Sequence, residues 1–199
     1  ADQAPLSGRI HSPVVEVNAP YVAEMVRQDL LRERGPTALT DGYRVTTTVD
    51  SRLQAAANDA VWRTMLEYDR RHGYRGAAEQ LDVATISDPA EVRGALKRHP
   101  DRGNLRAAVV TSVGSRDAKA QGRDGRVIDL GWDAFAWARP ALPQDTLGPG
   151  PRSAGDVVAL GQVIYVEPLE DGQYRLAQVP AVGAAFVALD PSDGAIVAL

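Results

Sequence analysis

The sequence predicts an α+β protein in which a small five-stranded β-barrel is looped out of a framework of one strand, one amphipathic helix and a C-terminal hairpin. Three observations lead there. Residues 43–49 alternate Tyr43, Val45, Thr47 and Val49 against Arg44, Thr46 and Thr48, the two-residue period of a strand with one buried face. Residues 51–72 switch to helical spacing. Between residues 105 and 179 the chain shows β-type runs interrupted after the third by one short helical run.

Taken in order, residues 1–19 hold Pro5, Pro13, scattered charges and a short apolar VVEV, and read as an extended connector. Residues 21–34 become helical, with Val22, Met25, Val26, Asp29 and Leu30 on one side and Gly35-Pro36 as the stop. After the 43–49 strand, Asp50 or Ser51 can cap the next helix, and Gln54 stands three after Ser51 as in a capping box. Leu53, Ala57, Ala60, Val61, Thr64 and Tyr68 trace its apolar side, and Gly73 ends it.

Residues 77–88 read as a loop or a short irregular strand. Asp88-Pro89 then caps a brief helix over 89–97, closed by His99-Pro100. Strands follow at 107–113, 118–121 and 127–130, the last two joined by a turn with Asp124-Gly125. In the helical run 131–140, Trp132, Phe135 and Ala136 share one side. Residues 141–155 are rich in Pro and Gly and have no reason to be ordered by themselves. Strands at 156–167 and 173–179, joined by Asp171-Gly172, complete the series. Three strands, a short helix and two strands is the order of an OB-fold. The 43–49 strand is expected to pair with 185–190 under helix 51–72, so the ends of the barrel must return close together.

With 199 residues and 44% hydrophobic content, the chain can bury one sizeable core or two small ones. A net charge of −4 gives no general attraction to nucleic acid or anionic lipid. There is no cysteine, which removes disulfides and thiolate metal sites. No run approaches the roughly 20 apolar residues of a membrane span, so no membrane contact is expected. Residues 195–199 are the second arm of a hairpin turning at Asp193-Gly194, and the sequence stops on that arm. It therefore reads as a piece of a longer protein.

The literal words add more. TTTVDSRLQAAANDAV followed by YDRRHGYRG, and AAFVALDPSDGAIVAL at 184–199, resemble the class A penicillin-binding proteins of the Gram-negative 1A type, which polymerise and cross-link bacterial peptidoglycan. The resemblance implies an interdomain linker with a helix at 1–41, a strand and helix of the transpeptidase framework at 42–76, an inserted OB-like domain at 77–183 and the first transpeptidase hairpin at 184–199. It also implies a periplasmic position within an inner-membrane-anchored protein, a role in cell-wall biosynthesis, and contact with the remaining domains of the parent enzyme. The resemblance further implies that, as in some Gram-negative bacteria, the inserted domain docks an outer-membrane lipoprotein activator, with peptidoglycan a further candidate partner.

Catalytic motifs are missing. Transpeptidation needs a serine with a lysine one helical turn later, and a Lys-Thr-Gly or Lys-Ser-Gly strand. The two lysines, Lys97 and Lys119, follow Gly94 and Arg116 by three residues, and Ser115 with Lys119 has the wrong spacing. His11, His72 and His99 lack the i, i+3 or i, i+4 partners of a metal helix. The prolines of the 148–151 loop lack the amides a phosphate cradle needs. Glu167, Glu170 and Asp171 read as solvated turn residues. No catalytic, cofactor-binding or metal residue is therefore assigned. Nucleic acid is disfavoured because the arginines cluster at 63–75 and 93–106, outside the barrel strands, while Trp132, Phe135 and Trp137 serve as core. The competing expectation is an OB module binding glycan strands or single-stranded nucleic acid. Loops 116–124, 141–153 and 169–173 are docking candidates by exposure.

Overall fold

The structure, a computed structural model, describes Val15 and residues 17–199; His11 and nearly all of the 1–19 connector lie outside the described residues. The chain falls into two compact units. One comprises residues up to Val61 together with Ala185–Leu199, and the other is Trp62–Ala184.

In the first unit, α1 (Pro20–Arg34) starts on a proline and stops where Gly35, at φ 74°, donates its N–H to Leu31 O. None of its residues is buried. Val22, Val26 and Leu30 of the expected apolar side are half-buried, but Met25 and Asp29 are exposed. Ion pairs Glu24–Arg27 and Asp29–Arg32 line the exposed surface, and the Arg27 guanidinium holds the Glu24 carboxyl at about 2.

The strand expected over residues 43–49 does not form. The segment joins no ladder among the described residues, and Tyr43 is 49% and Val45 46% exposed. An alternating pattern becomes a strand only where a neighbouring ladder and a surface to bury against exist. Its ties come at its end, where Thr48 Oγ1 donates to Ile196 O (2.6 Å) and Asp50 N–H donates to Val197 O (3.0 Å). These acceptors belong to the second arm of the hairpin, not to 185–190. That hairpin pairs β9 (Ala188–Leu189) with β10 (Ile196–Ala198), and Gly194 at φ 76° makes the turn.

Helix α2 (Ser51–Arg71) is capped by Asp50, whose Oδ1 accepts from the Arg52 and Leu53 amides. Gln54 does not close a capping box. It is fully buried and holds Leu199 by both backbone groups, accepting from its N–H (2.9 Å) and donating to its carbonyl (2.6 Å). The buried side of α2 is also rotated from the expected stripe. Gln54, Ala57, Leu66 and Asp69 are buried, whereas Leu53, Thr64 and Tyr68 are exposed.

The second unit contains the expected insertion, residues 77–183, together with the end of α2. Its elements are β1 (Glu79–Gln80), α3 (Pro89–Arg98), β2 (Arg106–Val113), β3 (Asp117–Gly122), β4 (Val127–Gly131), α4 (Trp132–Phe135), β5 (Ala141–Leu142), β6 (Thr146–Leu147), β7 (Gln162–Pro168) and β8 (Tyr174–Ala177). Asp88 caps α3 by accepting from Ala90 N–H. The strands of the main sheet pair antiparallel: β4–β3–β2–β7, with the far side of β7 shared between β1 at its start and β8 at its end. With α4 between β4 and β7, and β8 alongside β4 at the closing seam, this is an OB-like barrel.

Strand period sorts the core into two. Ala108, Val110, Ile164, Val166 and Leu176 point into the barrel with Leu130 and the fully buried Phe135. Their neighbours Ala107, Val109, Val163, Tyr165 and Ala177 point outward and are covered by Leu66, Val92 and Leu96. Being buried on both faces, β2 and β7 read in sequence as continuous apolar runs.

Three expectations are revised here. The strand expected at 156–167 starts only at Gln162, because Ser153 and Asp156 form a capping box around a 3₁₀ turn, Ala154–Asp156. The Arg152 and Ser153 amides bonded to Asp156 hold its carboxyl below the usual range. Residues 141–155 are ordered: β5 pairs β6, and Arg139 Nε donates to Gly148 O at 2.8 Å. On α4, Ala136 is exposed and Ala134 takes the buried place expected of it, while Trp132 is half-buried.

Candidate functional site

The polar groups that the fold gathers lie at the C-terminal end of α2, where the two ends of the barrel unit meet. Asp69 falls seven residues after Trp62 and three after Leu66, so the turn that buries Leu66 also buries Asp69, only 3% exposed. Its Oδ1 accepts from Arg75 Nη1 (2.7 Å) and Ala181 N–H (3.2 Å), while its buried Oδ2 has no hydrogen-bond partner among the described residues. The next residue, Arg70, donates to Glu167 Oε2 at 3.2 Å and lies 5.8 Å above the Trp137 ring. Burial first, and Arg175 second, push the Arg70 pKa down. Arg175 adds bonds of 2.7 and 3.3 Å to the same oxygen.

Gln178 joins the ends. Its Nε2 donates to Gly73 O (2.7 Å) and its Oε1 accepts from Arg75 N–H (2.8 Å). Gly73 is required there: φ is 91°, and a Cβ would meet Arg139 O at 2.8 Å. Tyr74, between them, donates its backbone N–H to Arg139 O (2.7 Å) and packs edge-on against Trp137, and burial pushes its phenol up. A cavity of about 10 Å³ remains, lined by Leu66, Asp69, Arg70, Trp137, Ala177 and Gln178. Its charges are paired carboxylates and guanidiniums, a set that fastens segments together.

Of the loops singled out by exposure, 116–124 is mostly the paired strand β3, with Lys119 bonded to Asp129 at 3.2 Å. Residues 141–153 begin with the β5–β6 hairpin, whose tip holds Gln144 and Asp145 at φ 61° and 54°. Residues 169–173 form a turn closed by Leu169 N–H to Gln173 O. Ser115 is a turn residue whose carbonyl accepts from Ala154 N–H. His72 stacks on Tyr68, and His99 Nε2 sits 2.6 Å from Glu79 Oε2. Among the described residues no group of three or more His, Cys, Asp or Glu could hold a metal ion.

Sequence reading missed Asp69, Gln178 and the burial of Glu167, which it placed with the solvated turn carboxylates. The first had a legible signal, since it shares helical phase with Trp62 and Leu66. Gln178 had none, because its partners lie about a hundred residues away, whereas Glu167 pairs both with Arg70, 97 residues away, and with Arg175, opposite it in the β7–β8 hairpin.

Comparison with known proteins agrees with the geometry. Residues 74–182 match the family model described as the penicillin-binding protein OB-like domain. Penicillin-binding protein 1A of Pseudomonas aeruginosa is 40% identical over 200 residues, covering 98% of this chain and 24% of that one. The Escherichia coli protein of the same name is 40% identical over 196 residues, covering 98% and 23%. The crystal structure of penicillin-binding protein 1A from Haemophilus influenzae superposes with a TM-score of 0.75 at 34% identity, covering 92% of this chain and 26% of that one. The chain thus spans about a quarter of the length of the curated relatives it matches. It belongs to the penicillin-binding protein family and carries that family's OB-like domain.

Proposed function

We propose that this chain is a non-catalytic regulatory region of a bifunctional peptidoglycan synthase, and that its OB-like domain is a docking module for an outer-membrane lipoprotein activator. The observation that carries this reading is the filled barrel. Phe135, Leu130, Ile164 and Leu176 occupy its interior, so the domain has a complete core and meets its surroundings through surface turns. Glycosyltransferase and transpeptidase activities belong to the parent protein, which is periplasmic and anchored in the inner membrane. Among the described residues no helix is long and apolar enough to cross a membrane. A partner that binds one arrangement of the parent enzyme more tightly would shift it toward cross-linking competence.

The test compares the parent enzyme with a variant whose residues 77–183 are replaced by a short linker, each assayed for cross-linking with and without the host's purified outer-membrane lipoproteins. Stimulation confined to the intact enzyme supports the reading, and equal stimulation of both overturns the docking role. The 199-residue chain itself should take no label from a fluorescent penicillin.

A further inference from the structure

We infer that the cavity beneath Asp69 is a binding site for a single internal water molecule, which donates a hydrogen bond to Asp69 Oδ2 and completes the junction of the barrel's ends. A buried carboxylate oxygen without a donor carries a full desolvation penalty. Asp69 Oδ2 is such an oxygen, on a side chain only 4% exposed, and Asp69 lines a cavity of about 10 Å³. That is about the room one water needs.

The lining residues define the ligand. Leu66 and Ala177 offer no donor, and Trp137 Nε1 is engaged with Leu176 O at 3.2 Å. Gln178 Nε2 spends one of its two hydrogens on Gly73 O, and Arg70 uses Nη2 on Glu167, so both retain N–H groups for the oxygen of a water. The guanidiniums of Arg70 and Arg75 repel a cation, and the Asp69 carboxylate repels an anion. A neutral molecule that both donates and accepts, and is no larger than water, fits. It would link α2 to the segment around Gln178, beside the Arg75 and Ala181 bonds that Asp69 already makes. The site stands whichever partner the domain binds.

A crystal structure of the 199-residue chain at a resolution that orders internal water tests this, alongside water-to-protein NOE and ROE measurements in solution. The expected result is one water about 2.7 Å from Asp69 Oδ2, with cross-peaks to the Leu66 methyls, which also line the cavity, of the sign given by a molecule resident for nanoseconds or longer. An empty cavity, an ion in it, or Oδ2 turned onto Arg70 or Gln178 overturns the inference. As a second measurement, Ala177→Val should expel the water, remove those cross-peaks and speed amide exchange at Ala181 about tenfold. An Ala177→Val protein that keeps the cross-peaks, or shows unchanged exchange at Ala181, counts against it.

Discussion

The two compact units obtain their order in different ways. In Trp62–Ala184 the central strands β2 and β7 are buried on both faces, with Phe135, Leu96, Leu105, Leu130, Ile164 and Leu176 each under 2% exposed. In the other unit α1 has no buried residue, the 43–49 segment exposes Tyr43 and Val45, and its buried positions are Ala38, Gln54, Ala57 and Ala198 among the described residues. There, hydrogen bonds from Thr48, Asp50 and Gln54 to residues 196–199 set the arrangement. Apolar burial scales with area, whereas a net hydrogen bond contributes only about 1 kcal/mol. The barrel unit is therefore expected to be the more stable of the two.

This difference can be broken or sharpened by substitution, and the sequence helps, because all three tryptophans, Trp62, Trp132 and Trp137, lie in the barrel unit. Tryptophan fluorescence therefore follows that unit alone. The largest effect is expected from Phe135→Ala, which empties the barrel interior and should lower stability by about 3–5 kcal/mol, read as an earlier denaturant midpoint. Glu167→Ala leaves Arg70 and Arg175 facing each other without their shared carboxylate. It should cost on the order of 2 kcal/mol, less than a fully buried pair because both arginines keep some water contact.

Gln54→Ala acts on the other unit. It removes both bonds to Leu199, should cost about 1–2 kcal/mol locally, and should speed amide exchange at Leu199 while leaving the fluorescence midpoint unchanged. A shift in that midpoint would show that the two units do not unfold independently.

A smaller effect is expected from pH. The Glu79 carboxyl is held below its ordinary 4.5, first by His99 and then by Arg98. Its folded pKa lies below the unfolded one, so its contribution is complete above about pH 4.5 and fades as pH falls through the lower folded value. Because the Glu79 side chain is still a third exposed, and Arg98 more so, solvent screening should keep the contribution below about 1 kcal/mol, visible as a fluorescence midpoint that falls in acid and is less acid-sensitive in Glu79→Gln. The least effect belongs to Val45→Thr, within about 0.5 kcal/mol. A larger loss would mean that the 43–49 segment is packed in solution.

Much of the barrel was legible in the sequence, because its information is local. Period-two alternation, Asp124-Gly125 and Asp171-Gly172 turns, and the Asp88-Pro89 cap each announce themselves within a few residues. The errors came where a pattern needed a distant partner. Residues 43–49 have the alternation of a strand but no ladder among the described residues, and Gln54 has capping-box spacing but is claimed by Leu199. The phase of α2 was misread because Leu53 and Tyr68 looked more apolar than Gln54 and Asp69, the polar residues that the fold buries. The candidate junction was almost invisible for the same reason: its bonds join positions 69–75 to 167–181.

Gln178 touches both Gly73 and Arg75, so the polypeptide enters and leaves the barrel through an opening spanned by one side-chain amide. Once the barrel has folded, the chain on either side experiences the whole excursion as the closure of a short turn, whatever its contour length. A gene can acquire, discard or exchange such a cassette at little conformational cost to its host. Grafting the segment between Gly73 and Gln178 into another α-helix-to-strand connection would be a direct way to exploit that.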